Sequence, residues 1–372
     1  MRVRQIDTQD RRDVRRFIRF PFDLYRDNPY WVPPFIADME LILNRSKHPY
    51  YRHSDAQFFL AEEGDRTLGR IALLENRIYN DYNHSKMAQF GHLELCEDEQ
   101  VARGLFEAAF AWARSRGLTE ISGPWGMLRS DGSGILVEGF DRQPAMGIPY
   151  NLPYYDRLIR AQGLEKEHDS LSGYLVKGHV LDERLYAIAE RVKEKRGFTI
   201  KTFASKQEMR AWVPHVAEIY RQAFVGGHGF APLADDEAAV FANGIIAIAD
   251  PRLIKLVLKG SEVVGFILAY PNVTRGIQKT RGRLWPWGWY YLLREQRRSK
   301  HVDINGVGLL PVYQGLGANA VLYTELTKSL VEFGVEYADV VQVAEDNYKS
   351  YSDMEALGVK WNKVHRHYRK TL

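Results

Sequence analysis

Pro311-Val-Tyr-Gln-Gly-Leu-Gly-Ala-Asn-Ala-Val-Leu-Tyr323 (PVYQGLGANAVLY) joins an apolar run to a helical pattern. The run before it, Val302–Leu310, is apolar enough for a buried strand. Its glycines, Gly306 and Gly308, suggest a bulge or a close approach of ligand to backbone. After it, Val321, Leu322, Leu326 and Leu330 form the apolar stripe of a helix that starts at Ala318. A glycine turn opening a helix leaves several N–H groups pointing outward at the positive end of the helix dipole, a ready site for a phosphate or pyrophosphate. Gly315, Gly317 and Ala320 also satisfy the dinucleotide form GxGxxA. That fingerprint opens a unit with several parallel strands to follow, and only about fifty residues remain here.

Working outward, the chain echoes itself. FFLAEEGDRTLGRIALLEN around Gly69 resembles IKLVLKGSEVVGFILAYPN around Gly265. Gly64 matches Gly260, Gly69 matches Gly265 and Asn76 matches Asn272, each pair 196 positions apart. Each copy reads as a β-hairpin turning on its first glycine. Asn151 and Asn347 share the same offset, and a common offset at sites this distant points to tandem duplication.

Both halves then have one order of elements. The first opens with a strand at Val3–Asp7 and a helix from Gln9; the second opens with Phe198–Phe203 and a helix at Lys206–Phe224. A further helix, the hairpin, a strand, a long helix (Gln100–Arg116 or Ala318–Phe333), a strand and a last helix follow. Tyr174–Val176 closes the first domain and Asp182–Lys195 reads as a junction helix. The expected class is α+β, with two tandem domains at 1–178 and 179–372. Each is a central mixed, mostly antiparallel sheet flanked by helices. SDGSGILVEGFD, with Gly132, Gly134 and Gly139, reads as a surface loop.

Composition bounds the function classes. A chain of 372 residues that is 45% apolar and 26% charged is globular and suits two domains. No run is long and clean enough to span a bilayer, and the first residues lack the apolar core of a secretory signal. Cys96 is the single cysteine, which excludes an intrachain disulfide and a multi-cysteine metal site. A cytoplasmic location and no metal are expected. The net charge of +4 favours anionic ligands mildly and does not indicate DNA.

The quoted loop resembles that of the GNAT superfamily of N-acyltransferases, P-x-Y-[RQ]-G-x-G-x-[GA]. Pro311, Tyr313, Gln314, Gly315 and Gly317 match it, and Asn319 departs where Gly or Ala is usual. A second landmark, N-x-x-A-x-x-x-Y-x-x-x-G-F, is kept in spacing by Asn347, Ser350, Met354, Gly358 and Val359. Met354 stands where the family often has the Tyr that protonates the departing thiolate, and Tyr351 is the candidate substitute. With FPFDLYRDNPYWVPP, ending at Pro34, and RGRLWPWGWYYLL at Arg281–Leu293, the whole chain resembles uncharacterised bacterial tandem-GNAT proteins.

The resemblance implies acetyl-CoA or a longer acyl-CoA as co-substrate, with its pyrophosphate on Gln314, Gly315, Leu316, Gly317, Ala318 and Asn319. It implies backbone partners for the pantetheine and thioester at Val307 and Leu309, a further contact at Asn347, and a general base at Asp303, eleven residues before Gln314. A solvated Asp303 at a strand mouth is the competing reading. His228, in VGGHGF, is a second candidate base. The matching place in the first half, Cys96-Glu-Asp-Glu-Gln, is acidic and lacks paired glycines, so that half is expected to bind no CoA.

The implied activity is N-acyl transfer to a small amine or amino-acid-like acceptor. A catalytically silent acyl-CoA-binding protein and a Fem-type transferase using aminoacyl-tRNA are the alternatives. Arg275–Lys300, with Trp285, Trp287, Trp289, Tyr290 and Tyr291 among arginines, has three readings: packing between domains, peripheral membrane contact and stacking on single-stranded nucleic acid.

Overall fold

The structure, a computed structural model, describes residues 1–128, 131–178 and 181–372. Along the chain run β1 (Arg2–Gln5), α1 (Arg11–Leu24), α2 (Ile36–Leu43), β2 (Asp55–Glu63), β3 (Arg66–Glu75), α3 (Arg77–Tyr82), β4 (Met87–Leu95), α4 (Glu99–Ser115), β5 (Glu120–Gly123), β6 (Ile135–Glu138), α5 (Tyr155–Arg160) and β7 (Glu165–Val176). Then come α6 (Glu183–Arg196), β8 (Phe198–Lys201), α7 (Lys206–Ala223), α8 (Asp235–Ile248), β9 (Ile254–Lys259), β10 (Glu262–Pro271), α9 (Thr274–Thr280) and α10 (Gly288–Arg298). The last elements are β11 (His301–Leu309), α11 (Ala318–Phe333), β12 (Tyr337–Ala344), α12 (Tyr348–Ala356) and β13 (Lys360–Thr371).

Backbone packing divides the chain into two units. The first is 1–170 with 274–293 and 363–372; the second is 171–273 with 294–362. The boundary expected from sequence, 178/179, adjoins residues 179 and 180, which lie outside the described residues. In the first unit the strand order is β1-β2-β3-β4-β5-β13, with β6 also beside β13. In the second it is β12-β11-β10-β9-β8. Most pairings are antiparallel, and β4–β5 and β11–β12 are parallel. Each unit is thus a mixed, mostly antiparallel sheet flanked by helices, the α+β class expected from sequence.

Period-two alternation sorts the apolar residues of β2 and β3 onto two faces. Phe59, Ala61, Ile71 and Leu73 pack with Leu105 and Phe106 of α4, while Phe58, Leu60, Ala72 and Leu74 pack with Phe17 of α1 and Met39 of α2. Because both faces are covered, these strands read as nearly unbroken apolar runs.

The duplication is visible in backbone detail. Gly64 and Gly260 both turn their hairpins at positive φ, 56° and 62°. A side chain on Gly69 would meet Leu105 at 2.9 Å, and one on Gly265 would meet Leu309 at 2.3 Å. The Asn151–Asn347 match does not extend to role: Asn347 caps α12 through Ser350 N–H, whereas Asn151 is buried and binds both the N–H and the C=O of Leu136. That clamp explains a correction. The glycine-rich stretch read as a surface loop contains β6, with Ile135 and Leu136 buried; Ser130, within that stretch, lies outside the described residues.

Candidate functional site

In the second unit β11 pairs with β12 at His301–Tyr337, Val302–Ala338, Asp303–Asp339 and Ile304–Val340, and the ladder ends there. Both strands run on, to Leu309 and Ala344. The parting coincides with a positive φ, 44°, at Gln342 of β12 and with a bulge in β11. Ile267 of β10 faces Val307 while Ala269 faces Ile304, so Asn305 and Gly306 together oppose Leu268. Gly306 takes φ 119°, a conformation side chains resist, and nothing lies within 4 Å of where its Cβ would be. Beyond Ile304, β11 bends away from β12 with the backbone of Val307 and Leu309 on the opened edge.

The edge leads into the glycine turn. Leu310 N–H binds Val264 C=O at 2.9 Å, and Gln314 Nε2 donates to Leu309 C=O at 3.3 Å. Gly315 and Gly317 both adopt positive φ, 73° and 87°. A Cβ on Gly317 would also meet Val192 of α6 at 2.7 Å, so glycine is required twice over there. Gly317 is the N-cap of α11, no side chain caps it, and the first turn carries no acid. The N–H groups at this helix start thus remain without a side-chain acceptor, at the positive end of the dipole. Val307, Leu309 and Gln314–Asn319 lie along one continuous stretch of chain from strand edge to helix start.

Asn319 does not offer its amide to that start. Its Nδ2 donates to Asp353 Oδ2 at 2.6 Å, bracing α11 against α12. Tyr323, one turn on, donates its hydroxyl to the same carboxylate at 3.4 Å, and burial together with that carboxylate pushes its hydroxyl pKa well up. Met354 packs against Val340, Leu357 and Val359. Tyr351 stacks on Trp361, ring centroids 5.0 Å apart, and desolvation raises its pKa. Asn347 is exposed and its side-chain oxygen is used by the α12 cap. Neither Tyr351 nor Asn347 joins the stretch that runs from Val307 to Asn319.

Asp303 is fully buried, not solvated at a strand mouth. Asn272 Nδ2 donates to both of its oxygens, at 2.9 and 3.0 Å. His301, two residues away and half-buried, brings Nε2 to 2.9 Å from Asp339 and 3.7 Å from Asp303. Tyr270 lies opposite Asp303 on β10; burial and the Asp303 charge push its hydroxyl pKa up. A polar row, Tyr270–Asp303–Asp339, thus crosses three strands one residue below the point where β11 and β12 part. The donor atoms of His301, Asp303 and Asp339 lie within 4.8 Å of one another, a spacing a cation could use. Both Asp303 oxygens already accept from Asn272, so hydrogen bonding accounts for that carboxylate. His228 pairs with Asp346, just past the end of β12, at 2.6 Å.

Sequence reading missed Asn272, His301, Asp339, Asp353 and Tyr323. Only Asn272 carried a signal, as a member of the 196-residue echo. The others become partners only through cross-strand register or helix packing.

On the α7/α8 side of the second sheet lies an apolar pocket of about 640 Å³ including its mouth. Trp212, Val216 and Tyr220 of α7, Phe241 and Ile245 of α8 and Leu268 of β10 are among its walls. Alternation along β10 puts Leu268 and Tyr270 on one face, so the pocket and the Asp303 row share a side of the sheet.

The first unit has the same strand arrangement with the opening shut. Parallel pairing of β4 and β5 ends at Gln89–Ser122. The chain then turns back, Trp125 N–H binds Phe90 C=O at 2.7 Å, and a Cβ on Gly91 would lie 2.1 Å from Trp125 C=O. The α4 start is capped by Asp98, which accepts from Gln100 and Val101 N–H. Glu97 and Glu99 flank it, both paired with Arg157. Among the described residues, the edge past Gln89 is covered and the α4 start is capped, and the local charge repels phosphate.

No family model matches the chain. It is 26% identical over 370 residues to Protein YghO of Escherichia coli, covering 98% of this chain and 94% of that one. It is 28% identical over 305 residues to a bacterial ceramide synthase of Caulobacter vibrioides, covering 79% and 78%. Among solved structures it is similar to a tandem GNAT protein from the clavulanic acid biosynthesis pathway, with a TM-score of 0.56, 12% identity and coverage of 100% and 98%. With two such sheets, each bulged on its fourth strand, at His92 and at Gly306, and only the first filled by the turn at Trp125, the chain has the tandem GNAT fold.

Proposed function

We propose that this protein is an N-acyltransferase that draws on an acyl-CoA held by the second unit and acylates an amine bearing a hydrocarbon chain. The observation that carries the proposal is the pairing of an open β11 edge with the uncapped, glycine-turned start of α11, beside a first unit in which both features are blocked. Acyl-CoA supplies the activated acyl group as a thioester. The N–H groups from Gly315 to Asn319 would hold its pyrophosphate, and the backbone of Val307 and Leu309 would hydrogen-bond the pantetheine amides as a neighbouring strand does.

Asp303, one residue below the parting of the strands, is the candidate acceptor of the amine proton, directly or through water. Asn272 fixes its carboxylate, and His301 beside it is half-exposed and can pass the proton outward. Met354 has no proton to give a departing thiolate. Tyr323, kept protonated by burial and packed against the same cluster as Met354, is the candidate hydroxyl for that role.

Two observations support the acceptor class. The pocket lined by Trp212, Val216 and Leu268 has almost nothing for a polar ligand to bond. The Caulobacter relative is named for synthesis of ceramide, an N-acylated long-chain amine. Thiol release from acetyl-, octanoyl- and palmitoyl-CoA, each with short and long-chain amines, tests the reading. Turnover with a long-chain partner is expected. CoA binding without thiol release for any pair would leave a silent acyl-CoA-binding protein in its place.

A further inference from the structure

The segment 274–293 is an exposed aromatic platform on the first unit. Its base is tied down: Ile36 N–H binds Gly282 C=O at 2.8 Å, and Gln278 Nε2 donates to the carbonyls of Pro29 and Trp31 at 2.9 and 2.8 Å. Gly282 sits so tightly on the Phe22 ring and Pro34 carbonyl that a Cβ would approach each to 2.8 Å. The tip does the opposite. Trp285 is 80% exposed and Trp287 68%, with Leu284, Trp289, Tyr290 and Leu293 also exposed. Single exposed apolar residues need no explanation, but a contiguous group of large ones on an anchored base does.

The charge around the tip is one-sided. From Arg275 to Arg294 the sequence has five basic residues and no acidic one. Arg275, Lys279, Arg281 and Arg283 are all exposed, and Arg281 and Arg283 form no ion pair among the described residues. The helix α10 continues with Arg294, Arg297 and Arg298.

We propose that this platform docks the protein on an anionic lipid surface. Indole and phenol rings favour the headgroup boundary, where one edge is apolar and the other wet. Leu284, Pro286 and Leu293 can enter the acyl boundary but offer a nucleic-acid base nothing to pair or stack on. Free guanidinium groups beside the rings add attraction to anionic headgroups. No helix among the described residues is long and apolar enough to cross a membrane, so the contact is peripheral. This inference stands apart from the acyl-transfer proposal and is tested without it.

The test uses the full chain with phosphatidylcholine vesicles, with and without phosphatidylglycerol. Co-sedimentation with the anionic vesicles and a blue shift of tryptophan fluorescence are expected. Trp285→Ser with Trp287→Ser should weaken binding by about tenfold or more at an unchanged melting temperature. Arg281→Ser with Arg283→Ser should weaken binding to the anionic vesicles alone. Three results would overturn the proposal: no binding of the parent to either vesicle; equal binding by the double tryptophan variant; or gel-shift binding of tRNA without vesicle binding. Light scattering that finds a dimer broken by the tryptophan changes would likewise assign the platform to a second copy of the chain.

Discussion

Trp125 and Phe90 are joined by a 2.7 Å backbone hydrogen bond that closes, in the first unit, the gap left open past Ile304 in the second. Duplication gave two sheets of one plan, and a few residues decide which can admit a ligand between its parallel strands. Both sheets carry the bulge, at His92 and at Gly306; Trp125, folded back onto Gly91, fills the gap in the first.

The glycine turn should distinguish backbone strain from steric block. At Gly315 a Cβ meets open space and only the positive φ opposes it, so Gly315→Ala should cost about 1 kcal/mol. At Gly317 the same strain is joined by contact with Val192 at 2.7 Å, so Gly317→Ala should cost more and move the start of α11. Denaturant melts and CoA titration of the two variants check this. Equal losses would mean that Val192 yields.

Asn319 replaces a small residue of the family pattern, and its amide is spent on Asp353. Asn319→Ala should therefore lower stability by about 1–2 kcal/mol through the lost charge-assisted bond, and leave CoA affinity within a few-fold. A large loss of affinity at unchanged stability would show that the amide turns to the ligand.

Asp303→Asn tests the proton acceptor. Turnover should fall by about 10²–10⁴-fold while CoA binding persists. His301→Ala should lower turnover less. Unchanged rates in Asp303→Asn at neutral and high pH would remove Asp303 from the chemistry.

Chain length should be set by the α7/α8 pocket. Ala242, on its wall, changed to Phe should fill part of the space and reduce turnover with the long-chain partner by about tenfold or more, on the scale of several lost methylene contacts. Short partners should react as before. Loss with short and long partners alike would indicate general disruption instead.

The first unit predicts a pH dependence. Burial lowers the pKa of His48 and His365 to about 4 and that of His92 to about 3, from an ordinary 6.5. The unfolded chain takes up these protons first as pH falls, so their contribution is full above pH 6.5 and is lost on the way down to about 4. Each unit of difference is worth about 1.4 kcal/mol. Melting temperature should fall through this window before the carboxylates titrate, and His365→Gln should flatten the slope. A level profile between pH 6.5 and 4.5 would contradict it.

Much of this was legible in the sequence because local rules carried it. Hairpin glycines, the helical stripe after Ala318 and the GxG turn each act within a few residues. The polar row was not legible, since Asp339 meets His301 only through parallel register, and Asp353 meets Asn319 only because α12 folds back onto α11. β6 was hidden because glycines surround it and its partner, β13, lies more than two hundred residues away in sequence. The closure of the first sheet was foreshadowed only by the acidic α4 start; the decisive turn at Trp125 carried no recognisable pattern.

Calorimetric titration of the full chain with CoA, beside Gly317→Val, tests the central claim most directly. One site per chain, lost in the variant while the fold persists, is predicted. Two sites, no binding, or binding that survives Gly317→Val would contradict a single CoA site at the start of α11.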